Sequence, residues 1–327
     1  MGNISRLPPI YFGPVTQLPS WSWVGGDIAA VLSSFTEVRY FRCVDEIAPG
    51  SIAFWIKHPL NNIESQKISA LGIKLVFFPV DTFQNQSEID EYQGFIDQAR
   101  LICVHAQSLK PYFPRSRVEI VDHYNKYGVN CLDRRPDGRT LLWIGGFQYV
   151  PYVIFGLNEI RWDHQNITLL TNSTCAPARA AAKMIATQIG LPDFERRIAV
   201  SAIRIVDWSV QSQKHALLTC SAAFDIKHVE CFNQFHKPPT KLQKYLSSGI
   251  PFAVDSDFPG AMQLNGAWDF SQLAERWNCE RYKIELEARA KRTSNELSLT
   301  SLSNAYLRLA IGAQNLSATE ARAQLAA

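Results

Sequence analysis

The feature that most limits what this chain can fold into is a repeated switch of hydrophobic period. Short β-branched and aromatic runs at residues 38–44 (VRYFRCV) and 52–56 (IAFWI) read as strands, and 63–71 has helical spacing that stops at Gly72. Residues 73–80 (IKLVFFPV) read as a buried strand, 89–99 as an acidic helix and 101–105 as another buried strand. Strands separated by helices of roughly 10–15 residues build βαβ units on a parallel sheet. Between 130 and 140 the text turns polar and breaking (NCLDRRPDGRT), which places a linker there. A second series follows: a strand at 141–144 running into Gly145-Gly146, a strand at 167–170, and an alanine-rich helix at 178–189 that ends at Gly190. A strand at 203–206, a helix beginning over 215–220 and a strand at 223–226 continue it, and from Ser271 the pattern is helical to about Gln314.

The expectation is an α/β chain of two Rossmann-like halves with C-terminal helices: domains at 1–133 and 134–270, and a segment, 271–327, packing back across them. The chain has 327 residues, long enough for two domains, with 18 Phe, 11 Tyr and 8 Trp to fill their cores. A net charge of +3 and a pI near 8.4 are too weak to imply a nucleic-acid stripe or a polybasic anchor. No run of about 18 apolar residues suggests a spanning helix. The two prolines of the first eleven residues argue against a signal peptide, and Arg6 stands where a myristoylation signal needs Ser or Thr. The seven cysteines, odd in number and without a two-residue gap, read as reduced structural thiols, and the Asn-x-Ser/Thr matches as chance. These points lead to a soluble cytoplasmic protein, with peripheral contact at the inner membrane face compatible with them.

The segment richest in chemistry is 236–260, HKPPTKLQKYLSSGIPFAVDSDFPG. Thr240 suits an N-cap after two prolines; Leu242, Tyr245 and Leu246 then share one apolar face, and Gly249 ends the helix before a buried strand at 250–254. Exposed N–H groups and a partial positive charge at the helix start, with Lys237 and Lys241 alongside, suit a diphosphate. An ordinary crossover with solvated lysines fits the same text. No GxGxxG, Walker A, GxSxG, HExxH or EF-hand pattern occurs, and His228-x-x-Cys231 lacks the further ligands a metal needs.

This segment resembles the donor-domain motif of GT-B glycosyltransferases, in which a Lys-Pro-x-x-Lys-Leu helix leads to Gly-x-Pro and a strand. The preceding text, IRIVDWS at 203–209 and HALLTCSAAFDI at 215–226, is similar to the family's strands and helix around the nucleotide, so the resemblance covers roughly residues 200–260. It implies a nucleotide-sugar donor as substrate, with Lys237, Thr240 and Lys241 at the diphosphate and Trp208 and Ser209 near the base. Gly145 and Gly146 would let backbone approach the donor, though a tight turn or, for Trp208, an ordinary core position explains them as well. No cofactor and no metal is expected, because helix N–H groups and lysines can neutralise the leaving diphosphate.

Two positions depart from the pattern: His236 and Lys244 stand where many retaining members carry glutamates, and lysine cannot accept a ribose hydroxyl. On the acceptor side the candidate bases are Asp27, after Gly25-Gly26 in what reads as a loop entering a helix, and His58 and His105, each just past a strand. Capping explains Asp27 equally well, and a satisfied polar role explains the histidines. The expected function is transfer of a sugar from a nucleotide sugar to a glycan, lipid-linked or small-molecule acceptor. A degenerate partner subunit and a nucleotide-sugar epimerase are the alternatives, and no nucleic-acid partner is expected.

Overall fold

The computed structural model describes residues 7–114, 117–138, 140–157, 166–226, 232–254, 258–262, 264 and 280–315. They fall into two compact units. One comprises Met1–Tyr124, Cys231–Pro238 and Glu296–Ala327; the other comprises Asn125–Glu230 and Pro239–Asn295. The sequence places the boundary at 133/134, whereas the first unit ends at Tyr124 and the breaking text at 130–140 lies inside the second. The two C-terminal helices do not stay together as one segment: Leu299–Asn315 belongs to the first unit, and Glu280–Glu296 lies in the second up to Asn295.

The first unit is built on six parallel strands: β1 (Ile10–Gly13), β2 (Val38–Tyr40), β3 (Ile52–Ile56), β4 (Lys74–Phe78), β5 (Ala99–Val104) and β6 (Val118–Ile120), in the order β2-β1-β3-β4-β5-β6. Its inner strands β1, β3, β4 and β5 are mostly buried on both faces, which is why β3, β4 and β5 read as continuous apolar runs, while the edge strands β2 and β6 are partly exposed. In β3, Ile52, Phe54 and Ile56 join a core with Ile28 and Leu32 of the helix Asp27–Leu32 and with Tyr306 of the last helix. Ala53 and Trp55 face the opposite layer with Ile68, Phe95 and Ile96. Tyr306 lies 5.0 Å from the Phe78 ring and 5.6 Å from that of Phe54, and that contact fixes the last helix on this sheet. Two of these strands escape the sequence pattern. Both β1 and β6 are only 4 and 3 residues long, too short to show a period. The acidic helix at 89–99 is really two short helices, Gln86–Glu91 and Gln93–Ile96, and its last residue, Ala99, begins β5.

The second unit carries five parallel strands: β7 (Thr140–Ile144), β8 (Asn166–Thr171), β9 (Ile203–Asp207), β10 (Ala222–Asp225) and β11 (Phe252–Val254), in the order β11-β10-β7-β8-β9. The chain leaves β7 toward β8 and returns on its other side at β10, so the strand order reverses between β7 and β10. Residues 215–220 end a helix, Val210–Thr219, rather than begin one, because Ser209 caps it six residues before His215. The helix Thr240–Ser247 buries Leu242, Tyr245 and Leu246 as their spacing requires. Thr240 is its first residue; the N-cap is Pro239, and no side chain caps it.

The polar stretch before β7 is a clasp. Arg134 donates to the carbonyls of Gly249 and Cys220, the latter at 2.8 Å, and these carbonyls close the helices Thr240–Ser247 and Val210–Thr219. A guanidinium at two helix C-termini meets two partial negative charges, so it needs no carboxylate. Gly249 completes the corner with φ of +64°, where an added Cβ would lie 2.7 Å from Cβ of Cys131. Gly249→Ala is expected to cost about 2–4 kcal/mol from strain and overlap together. Gly190→Ala, with φ of +69° but no atom within 4 Å, is expected to cost about 1 kcal/mol. Urea denaturation of both variants checks this; equal losses would show that the Gly249 corner relaxes freely.

Candidate active site

In an open parallel sheet, ligands settle beyond the carboxyl ends of the strands where the strand order reverses. In the second unit that point lies between β7 and β10. β7 runs out into Gly145-Gly146, and β10 ends at Asp225, a carboxylate only 1% exposed. A buried ionised carboxylate requires a cation, and Lys241 supplies it: its Nζ is 2.9 Å from Asp225 Oδ1. The same ammonium lies 4.7 Å from the ring centroid of buried Trp143. Tyr245 from the same helix accepts the Ile144 N–H at 3.1 Å, tying the helix to the end of β7. An added Cβ at Gly145 would meet the Trp143 ring at 2.2 Å, so that glycine is required by the indole. At Gly146 the obstacle is the flexible end of Gln148.

Thr240 and Lys241 are therefore positioned at this edge by one helix. Lys237 is not: it lies with Cys231–Pro238 in the first unit. Trp208, 41% exposed, follows β9; its indole donates to Gln213 at 3.0 Å and its ring lies 6.2 Å from that of Tyr127. Ser209 has a local task. Its hydroxyl accepts the Ser212 N–H at 3.0 Å in a capping box. Asp225, Trp143 and Tyr127 escaped the sequence reading; an acid closing a buried strand was the available signal for Asp225.

The first unit gathers another set. Gly25-Gly26 do not form a loop: they end a π-helical turn, Trp21–Gly26, which runs straight into the helix Asp27–Leu32. Gly25 is needed because a Cβ there would meet Ile56 at 2.5 Å. Asp27 is the first residue of that helix, with Gly26 in the N-cap position; its Oδ2 accepts Tyr124 Oη and, at 3.4 Å, Ser22 Oγ. Tyr124 follows His123, whose ring is 3.9 Å from that of His105. Asp27 and His105 thus reach one neighbourhood through two consecutive residues beyond β6 that the sequence reading passed over. His58 lies elsewhere, exposed at the end of β3. It and Lys57 have φ of +44° and +59°, a strained pair of the kind that collects at functional sites.

His105 is 4% exposed and its Nδ1 bonds the Val121 carbonyl. A carbonyl can only accept, so Nδ1 carries the proton and Nε2 is a bare acceptor. Burial pulls its pKa down to about 4 and that of His123 well below the usual value, so both rings are neutral at pH 7.

No protein-family model and no curated protein matches the sequence. Solved structures do. A sucrose-phosphate synthase from Thermosynechococcus elongatus matches over 93% of this chain and 98% of its own, with a TM-score of 0.60 at 10% identity. A trehalose-6-phosphate protein from E. coli bound with UDP-2-fluoro glucose matches over 93% and 80%, at 0.58 and 7% identity. A glycosylation associate protein (Gap123) complex from Streptococcus agalactiae matches over 82% and 56%, at 0.50 and 10% identity. The fold is GT-B.

On this GT-B chain the two departing positions are occupied as follows. Lys244 is 8% exposed, and burial lowers its pKa to about 8; it is a donor at neutral pH and accepts nothing. His236 sits in the first unit, its Nδ1 2.9 Å from Ser108 Oγ, with its ring against Tyr112 and Phe232.

The buried histidines predict a pH dependence. The folded chain keeps His105 neutral down to about pH 4, whereas an unfolded histidine takes up its proton near 6.5. The unfolded state thus binds the extra proton between these values, and stability falls as pH drops from 6.5 toward 4, by about 3 kcal/mol from His105. Urea denaturation at pH 7.5 and 5.0 is expected to show about 2 kcal/mol of this loss, reduced in His105→Gln; an unchanged pH slope in the variant would assign it elsewhere.

Proposed function

We propose that the chain is a glycosyltransferase that moves a sugar from a nucleoside diphosphate sugar, held by the second unit, to a hydroxyl held by the first. The observation that carries this is Lys241, fixed by buried Asp225 against Trp143 where the strand order reverses, beside Gly145-Gly146. A cation held in place before a ligand arrives stabilises diphosphate charge without reorganisation. With the uncapped start of the helix from Thr240 it takes the role a metal ion would otherwise fill, so the proposed reaction needs neither metal nor cofactor. Lys237 is proposed as a second cation for the diphosphate. Trp208 with Tyr127 forms the proposed platform for the base, and Ser209 shapes it by capping the next helix. Asp27, held by Ser22 and Tyr124, is the proposed proton acceptor; His58 is the reserve candidate for that role.

The solved GT-B structure bound with UDP-2-fluoro glucose supports a uridine donor as the first to test. A glycan, a lipid-linked sugar or a small molecule fits the acceptor role, and the proposed setting is cytoplasmic. Among the described residues no helix is long and apolar enough to cross a membrane.

A second reading has its own support: His236 and Lys244 replace the expected carboxylates, and the glycosylation associate protein has a similar fold. On that reading the chain binds a nucleotide as a partner subunit and does not turn it over.

Calorimetry against UDP, GDP, dTDP, ADP and CMP tests the donor site. Lys241→Ala alone removes the ammonium that faces the buried Asp225 carboxylate, at a cost of about 3–5 kcal/mol. The double variant Lys241→Met with Asp225→Asn removes both charges and is expected to keep the wild-type Tm yet lose nucleotide binding. Trp208→Ala is expected to weaken binding by about 1–3 kcal/mol, the worth of one stacked base. No nucleotide bound by the wild type, or full binding by the double variant, would sink the donor assignment. Binding without turnover across acceptors would favour the partner subunit.

A further inference from the structure

At the amino ends of its strands the second unit holds a cavity of about 480 Å³. Gly138, Ser221 and Pro251 in its wall stand one or two residues before β7, β10 and β11, so it lies at the sheet edge opposite Gly145 and Asp225. Its described lining residues all belong to the second unit, and the helix Glu280–Glu296 contributes Lys283, Leu286 and Glu287. The volume is that of a small-molecule site, roughly 300–1,000 Å³, and far larger than a packing void.

Two features say what the cavity suits. The first is the placement of charge. Arg134 comes from the stretch before β7, its guanidinium held at the carbonyl of Gly249, which is itself part of the wall. Lys283 comes from the helix Glu280–Glu296, and Glu287 stands one turn further along the same face. Both cations are half-buried, whereas Glu287 is exposed. Water screens an exposed charge more than a half-buried one, so the two cations dominate over the acid inside the cavity. The second feature is the chemistry of the walls. Pro136 and Pro251 have no N–H to donate, Leu286 adds only hydrocarbon, and the Ser221 hydroxyl is spent on Asp137 at 3.3 Å. Walls of this kind leave the hydroxyls of a sugar or the oxygens of a nucleotide unpaired, which costs binding energy for each group. They suit an apolar body.

We propose that this cavity is a second small-molecule site of the chain, taking an organic carboxylate with an apolar body, its carboxylate between Arg134 and Lys283 and its body against Pro136, Pro251 and Leu286. The site goes beyond the glycosyltransferase reading and does not depend on it. Arg134 then has two tasks, closing the helices Thr240–Ser247 and Val210–Thr219 and presenting its charge to the ligand.

Calorimetry on the full chain tests this with 4-phenylbutyrate, its neutral amide and the corresponding amine, 4-phenylbutylamine. The carboxylate is expected to bind, with the amide about tenfold weaker and the amine weaker still. Lys283→Met is expected to weaken the carboxylate about fivefold, and Glu287→Gln, which takes away the opposing charge, to tighten it about twofold. Neither is a core side chain, and effects of opposite sign are not what a general loss of structure gives. Saturating UDP in the same cell is expected to leave the affinity for the carboxylate as it is. No binding of the carboxylate, equal binding of the amine, an affinity that Lys283→Met leaves untouched, or displacement by UDP would overturn the proposal. The glycosyltransferase reading stands or falls on nucleotide binding, so the failure of either is told from the failure of the other.

Discussion

Parallel pairing is the constraint from which the rest of this molecule follows. A parallel neighbour can be reached only by crossing over the sheet, so each strand is followed by a helix or long loop on one face or the other. Both faces of the inner strands are then covered, those strands become largely apolar, and their polar groups are displaced to the strand ends. Every strand in a unit points its carboxyl end the same way. The groups with chemistry therefore collect along one edge: Gly145, Asp225 and Lys241 in the second unit, and His58, Asp81, His105 and His123 in the first. The order β11-β10-β7-β8-β9 opens a gap in the crossovers between β7 and β10, and the second unit's only ion pair with a fully buried member among the described residues stands there.

That ion pair joins stability to the proposed function. Asp225 at 1% exposure would be intolerable alone, and Lys241 answers it from the first turn of the helix Thr240–Ser247. Trp143 beneath the ammonium keeps the lysine from turning to solvent, and Gly145 makes room for the indole. A lysine held this way is already ordered, so a bound anion gains its charge without the entropy cost of fixing a long side chain. Arg134 does the complementary work at the other end of the same helix, capping carbonyls that would otherwise lie unpaired. Between them the helix is held at both termini by cations.

Much of this was legible in the residues because it depends on local pattern. The strands β3, β4, β5, β7 and β8 announce themselves as apolar runs. The spacing of Leu242, Tyr245 and Leu246 identifies a core-facing helix, and KPPTKL followed by SGIP identifies the GT-B likeness. What was not legible had no period to show. β1 and β6 are too short, and Ser209 begins a helix whose first buried apolar residue is Ala216. Gly25-Gly26, a loop on any local argument, ends a π-helical turn that continues into the next helix, and Gly25 there lies close against Ile56 and Trp21. Lys237 and Lys241, four residues apart, fall in different units because Phe232 and His236 pack on Tyr112 while Leu242 and Tyr245 pack under β7 and β10.

The sequence by itself determined the fold class, the two-unit plan and the helix that carries Thr240 and Lys241, since each follows from hydrophobic period, helix punctuation and a motif only six residues long. Only the tertiary structure decided the partners. Nothing local says that Asp225 meets Lys241 across sixteen residues, that Val121 fixes the proton of His105, or that Tyr124 reaches Asp27 from ninety-seven residues away. Such pairs are set by where crossovers return the chain and by which buried polar atoms then need one another, and that need exists only once water has been excluded around them.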